Sequence, residues 1–167
     1  MQADILILAL GNLLLRDDGL GIGALERLQD RYDLPTGVRC VDGGVLGLEL
    51  LAHVAGATHL LAIDAVRNGQ APGTLVRLEG EDIPRRLSLK LSMHQVSFAD
   101  ILALSQLRGT SLPRMVVWGL VPAVMETGVW LSPEVEAGLD ALVAAVVDEL
   151  GQWGVAAQPK PIENNFT

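Results

Sequence analysis

A chain of 167 residues, half of them hydrophobic but with only 4% aromatics, can bury one sizeable core built from Leu, Val, Ile and Ala. Its formal net charge of −8 argues against nucleic acid and against anionic membranes, because both need basic patches to neutralise phosphate. Its single cysteine, Cys40, can build neither a disulfide framework nor a Cys-rich zinc site within one chain, which fits a reducing, cytoplasmic setting.

Ile5–Leu10 is a continuous apolar run with β-branched content and reads as a strand buried on both faces. Asp4 before it, and Asn12 and Arg16 after it, do not suit a signal peptide. Residues 20–32 carry Leu20, Ala24, Leu25 and Leu28 on one face and mostly charged residues on the other, as an amphipathic helix does. Residues 38–41 read as a short strand closed by Asp42-Gly43-Gly44, and residues 46–55 return to helical spacing. Residues 59–63, HLLAI, form a third buried strand ending at Asp64. The turn chemistry of RNGQAPG follows, then a strand over 74–78. Residues 81–93 are polar and irregular, with Pro84 near their start. Residues 95–107 read as a helix, 115–120 as a strand and 121–131 as a loop. Ser132 then opens the last helix as N-cap, with Pro133 at its first position and Glu134 and Glu136 in its first turn, and the helix runs to about Gly151. Its apolar stretch, LDALVAAVVDEL, is too short for a membrane span.

This alternation implies an α/β fold, a three-layer sandwich with a mostly parallel twisted sheet of about five strands and helices on both faces. A single domain is expected over residues 1–155, followed by a surface tail at 156–167. Ligands in such folds bind outside the carboxyl ends of the strands. Asp18, Asp42 and Asp64 fall at strand ends or in the loops after them, and His94 just before a helix. Each has a structural reading: Asp17 or Asp18 as a helix-starting residue, Asp42 as a turn residue, His94 as a helix-start residue. Asp64, at the end of an apolar run, needs partners whatever its role. His53, His59 and Cys40 read as structural. A dinucleotide fingerprint, a phosphate loop, a G-x-S-x-G elbow and H-E-x-x-H are all absent. Two carboxylates and an imidazole remain, Asp18, Asp64 and His94. That set can hold a borderline divalent metal with coordination positions left open, and weakly, since it contains no thiolate.

Motifs in order along residues 4 to 155 resemble the [NiFe]-hydrogenase maturation endopeptidases. ILALGNLLLRDDGLG is similar to the family's opening G-N-x-L-x-x-D-[ED]-x-x-G, and VDGGVLGLELL to its D-G-G-x-x-G-x-x-L-L. HLLAIDAV with APGT, SMHQVSFADILAL, WGLVPAVME and LSPEVEAGLDALV are similar to the later blocks. The resemblance implies an endopeptidase that removes a C-terminal extension from the hydrogenase large-subunit precursor once nickel has been inserted. It implies Asp18, Asp64 and His94 as metal ligands and catalytic residues, and Asp42, Gly43 and Gly44 as substrate-handling residues. The first acid, often Glu in the family, is the shorter Asp18 here. Nickel would arrive on substrate cysteines, and a monomer is expected because the cleft must admit a large partner. A non-catalytic metal carrier that binds the same precursor, and a small-molecule hydrolase or nucleotide-binding protein, are the alternatives.

Overall fold

The computed structural model describes residues 4–44, 48–80, 82–83, 98–109 and 114–161. Along β1 (Ile5–Leu10) every residue is buried. Ile5, Ile7 and Ala9 join one core and Leu6, Leu8 and Leu10 the other, because successive side chains in a strand point to opposite faces. Both faces are covered, so the run is continuous rather than alternating.

β1 lies inside a five-stranded sheet of order β3-β1-β4-β6-β5. It pairs in parallel with β3 (Val38–Gly44) and with β4 (His59–Ala65), and β4 pairs in parallel with β6 (Arg114–Leu120). The edge strand β5 (Leu75–Glu79) runs antiparallel to β6. It shows the one-sided alternation of such a strand, with only Val76 and Leu78 buried. The helices α1 (Leu20–Arg31) and α4 (Pro133–Gln152) bury Leu25, Leu28, Leu139, Val143 and Val146 on one face of the sheet. On the other face α2 (Leu50–Val54) contributes Leu50 and Val54, and α3 (Phe98–Leu107) packs beside it. This is the three-layer sandwich expected. The last helix starts as its sequence predicts, with the Ser132 hydroxyl accepting from the Val135 N–H at 3.4 Å and Pro133 in the first turn.

Two elements differ from the sequence expectation. The strand expected over 38–41 continues through Asp42-Gly43-Gly44, because a bulge brings Leu10 opposite Gly44 and keeps the chain in the sheet. The glycine at 43 allows this: a Cβ there would stand 2.7 Å from Leu8 Cδ1 and 2.9 Å from the Ala9 carbonyl oxygen. The helix expected over 46–55 is the shorter Leu50–Val54 among the described residues. The start of the tail is tied down, since β7 (Gln158–Pro159) pairs antiparallel with β2 (Tyr32–Asp33) and the Lys160 N–H donates to the Arg31 carbonyl at 2.8 Å. The irregular segment 81–93 lies outside the described residues except for 82–83.

A buried acid joins α4 to the far edge of the sheet. Glu149, fully buried as a side chain, accepts two 2.9 Å bonds from Arg77 of β5 and one of 3.0 Å from Trp118 Nε1 of β6. The Arg77 guanidinium opposes the effect of burial and, with Trp118, holds the Glu149 carboxyl below its ordinary value.

Gly21, the last residue of LRDDGLG, sets how closely α1 approaches the sheet. A Cβ there would stand 2.3 Å from the Ile63 carbonyl oxygen and 2.6 Å from that of Leu10. Gly21→Ala is expected to push the helix off both strand ends and to lower stability by about 2–3 kcal/mol, as overpacking does. A urea midpoint that stays at the wild-type value would contradict this.

Candidate functional site

The site forms where β1 and β4 end. Gly11 closes β1 with a φ of 116°, and a Cβ there would fall 1.8 Å from the Asp18 carbonyl oxygen. Only glycine lets the chain fold back so closely. What folds back is a 3₁₀ turn, Arg16–Gly19, which packs against β4 and leads into α1. This turn carries Asp18, 9% exposed, with its Oδ2 accepting from the Asn12 N–H at 2.9 Å. The Asn12 side chain in turn accepts from the Leu14 N–H at 2.9 Å, which fixes the loop around the carboxylate.

Asp64 lies next to the last residue of β4 and is 2% exposed. Its Oδ1 accepts from the Ala65 N–H at 2.8 Å. The neighbouring strand must have glycine opposite it, since a Cβ on Gly119 would stand 2.0 Å from the Asp64 carbonyl oxygen. Ala9 of β1 is in register with Ile63, so Asp64 stands level with Leu10, just before the loop that carries Asp18. The structure therefore brings Asp18 and Asp64 to adjoining segments of one sheet edge. Asp42 lies on the other side of β1, in register with Ala9 and exposed, followed by Gly43 and by Gly44 at a φ of 35°. His94 lies outside the described residues.

Asp17 does not start α1, contrary to expectation. The residue before α1 is Gly19, and no side chain caps the helix. Asp17 is instead completely buried. Its Oδ1 accepts from the Ser132 N–H at 2.7 Å. Its Oδ2 accepts from the Ala123 N–H at 2.8 Å, the Val124 N–H at 2.9 Å and the Ser132 hydroxyl at 2.8 Å. Burial alone would raise its pKa, but the donors from Ser132, Val124 and Ala123 outweigh that and hold the carboxyl below its ordinary value. The sequence offers an adjacent pair of acids and nothing in their spacing to separate their roles. The partners of Asp17 lie more than a hundred positions away.

The same two loops are joined by main chain. The Arg16 N–H donates to the Gly128 carbonyl at 2.9 Å and the Gly128 N–H to the Leu14 carbonyl at 3.0 Å, forming an isolated parallel bridge at Leu15 and Gly128. Arg16 adds a 3.1 Å bond from Nε to the Trp130 carbonyl. Cys40 is structural, as expected: burial pushes its thiol up to about 11, well away from a reactive thiolate.

Chemically, Asp18 and Asp64 offer hard oxygen ligands or a general base. Among the described residues no group of three or more His, Cys, Asp or Glu could hold a metal ion. No helix among the described residues is long and apolar enough to cross a membrane.

A family model described as hydrogenase maturation protease matches residues 22–149. The hydrogenase 2 maturation protease of Escherichia coli K12 is 37% identical over 157 residues, which cover 93% of this chain and 96% of that protein. The hydrogenase expression/formation protein HupM of Azotobacter chroococcum is 40% identical over 159 residues, covering 94% of this chain and 76% of that protein. Among solved structures, the hydrogenase maturating endopeptidase HybD from E. coli superposes with a TM-score of 0.87 at 37% identity, covering 93% of this chain and 97% of that one.

Proposed function

The chain belongs to the hydrogenase maturation protease family, and from that premise we propose that it removes the C-terminal extension of the [NiFe]-hydrogenase large-subunit precursor after nickel insertion, using the substrate's nickel for recognition. The observation that carries the reading is the pair of buried carboxylates, Asp18 and Asp64, on adjoining segments at the carboxyl edge of the sheet. The chemistry of this pair suits the task. Oxygen donors and one imidazole hold a borderline divalent ion weakly without thiolates. Nickel already bound by the substrate can instead be bridged by Asp18, Asp64 and His94, which makes cleavage conditional on the metal being in place.

In this reading Asp18 and Asp64 orient the metal-bearing end of the substrate, and one of them is available as general base for the attacking water. Bridged nickel would polarise the scissile carbonyl. Asp42, Gly43 and Gly44, at the end of the edge strand β3, handle the substrate chain beside the cleft. The protein acts as a monomer in the cytoplasm.

The test is intact mass of a nickel-loaded precursor, with and without this protein, and of the nickel-free precursor in parallel. Loss of a C-terminal peptide only when nickel is present is the expected result. Stable binding without any loss of mass would replace the peptidase with a metal carrier, and cleavage of the nickel-free precursor at the same rate would remove the recognition role of nickel.

A further inference from the structure

Among the described residues Arg16 is the one residue other than glycine with a positive φ, 48°. That left-handed conformation crowds Cβ against the backbone, a cost that glycine does not carry. Arg16 is also the first residue of the 3₁₀ turn Arg16–Gly19, so the reversal it makes sets the course of the turn that carries Asp18. Strained backbone persists where its surroundings over-determine it, and it gathers at functional sites.

The surroundings here are the loop at 126–130. The Arg16 N–H donates to the Gly128 carbonyl at 2.9 Å, and its Nε to the Trp130 carbonyl at 3.1 Å. Its Nη1 lies 3.4 Å from Glu126 Oε1. The side-chain stem crosses Gly128 so closely that a Cβ there would stand 2.9 Å from Arg16 Cγ. Stability does not account for this clamp. The Glu126 side chain is 70% exposed, and exposed ion pairs contribute little. The first loop is in any case fastened to the loop at 121–132 by the bonds that Asp17 accepts from Ala123, Val124 and Ser132. A glycine at position 16 would take the same φ without strain and keep its N–H for Gly128. It would lose the side-chain clamp. The clamp lies two residues from Asp18, whose N–H donates to the Leu15 carbonyl at 3.1 Å and whose Oδ2 accepts from the Asn12 N–H at 2.9 Å.

We propose that Arg16 is a positioning residue for the reaction. Its guanidinium and stem lock the turn onto the 126–130 loop, and the locked turn holds the Asp18 carboxylate in the orientation in which it accepts from Asn12. The division of labour is then clear: Asp17 fastens the two loops together, and Arg16 fixes the aim of the acid beside it. The link to catalysis rests on the peptidase reading above.

The experiment compares wild type, Arg16→Asn and Arg16→Gly. Asparagine tolerates the left-handed conformation and is too short to reach Trp130 or Glu126. Three quantities are measured: the melting temperature, amide hydrogen exchange at Asn12 by NMR, and the kinetics of peptide release from nickel-loaded precursor. Both variants are expected to melt close to the wild-type temperature. Their Asn12 amide should exchange at least ~10-fold faster, as a locally loosened bond does. Their kcat should fall at least ~10-fold with KM near the wild-type value, because misplacing a reacting group acts on the transition state. Wild-type exchange at Asn12 in Arg16→Asn overturns the proposal whatever the activity. An effect in Arg16→Gly that is absent from Arg16→Asn would belong to the flexibility of glycine and overturns it too. A rise in KM alone would make Arg16 a substrate contact instead, and melting far below wild type in both variants would make the clamp structural; either overturns it. Wild type that releases no peptide would remove the peptidase reading, and exchange at Asn12 would then decide the aiming of Asp18 by itself: faster in Arg16→Asn sustains it, unchanged overturns it.

Discussion

Asp17→Ala is expected to destabilise the protein by about 3–5 kcal/mol, since it leaves the N–H groups of Ala123, Val124 and Ser132 and the Ser132 hydroxyl without their acceptor, at roughly 1–3 kcal/mol for each group that water cannot reach. That is a large part of the roughly 5–15 kcal/mol that holds a domain together. Asp17→Asn keeps the volume but turns an NH₂ toward the same donors, so it should act in the same direction. The pH dependence is a sharper check. The folded-state pKa of Asp17 lies below the ordinary value of 3.8, so the unfolded chain takes up this proton first. Its stabilising contribution is fully present above pH 3.8 and is lost as the pH falls through the lower, folded-state value. The stability gap between wild type and Asp17→Asn, measured by urea unfolding, should therefore narrow on acidification. A gap that stays constant well below pH 3.8 would mean that the carboxylate charge is not what the donors hold.

The second large effect is on activity. Substituting Asp18, Asp64 and His94 together with alanine is expected to stop release of the C-terminal peptide, a loss of at least ~10³-fold, in line with removing metal contacts and a general base together. A circular dichroism spectrum that matches the wild type is the accompanying check that the variant is folded. Continued processing by the triple variant would show the site assignment to be wrong. Asp18→Glu should process the precursor, because it keeps the acid, whereas Asp18→Asn should not. Equal activity of the Asn and Glu variants would reduce Asp18 to a structural role.

Legibility followed the range of the forces involved. Strands buried on both faces are visible as apolar runs, Ile5–Leu10 in β1 and Leu60–Ile63 within β4, and Ser132-Pro133 announces the start of α4 because capping is a local event. The pairing of β5 against β6 was not legible, since strand direction depends on the route of the connection. Nor was the extension of β3 through Gly43 and Gly44, because the residues that keep it in the sheet are the carbonyls and methyl groups of β1. At the site, the strand-end positions of Asp18 and Asp64 followed from the element order alone. The contrast between Asp17 and Asp18 did not, because it is decided by donors on a loop on the far side of the sequence.

That last separation has a consequence for how the protein comes into being. Asp17 and Ser132 are 115 positions apart, and the Leu15–Gly128 bridge spans a similar stretch of chain. Contacts of this range carry the loop-closure cost of everything between them and form after local structure does. The first loop leaves the ribosome early, whereas the bonds that join it to Gly128 and Ser132 can form only after β6 and the start of α4 have been made. The junction of these two loops is therefore among the longest-range contacts the chain has to close. A growing chain carries the first loop before the Ala123, Val124 and Ser132 donors that hold Asp17 exist.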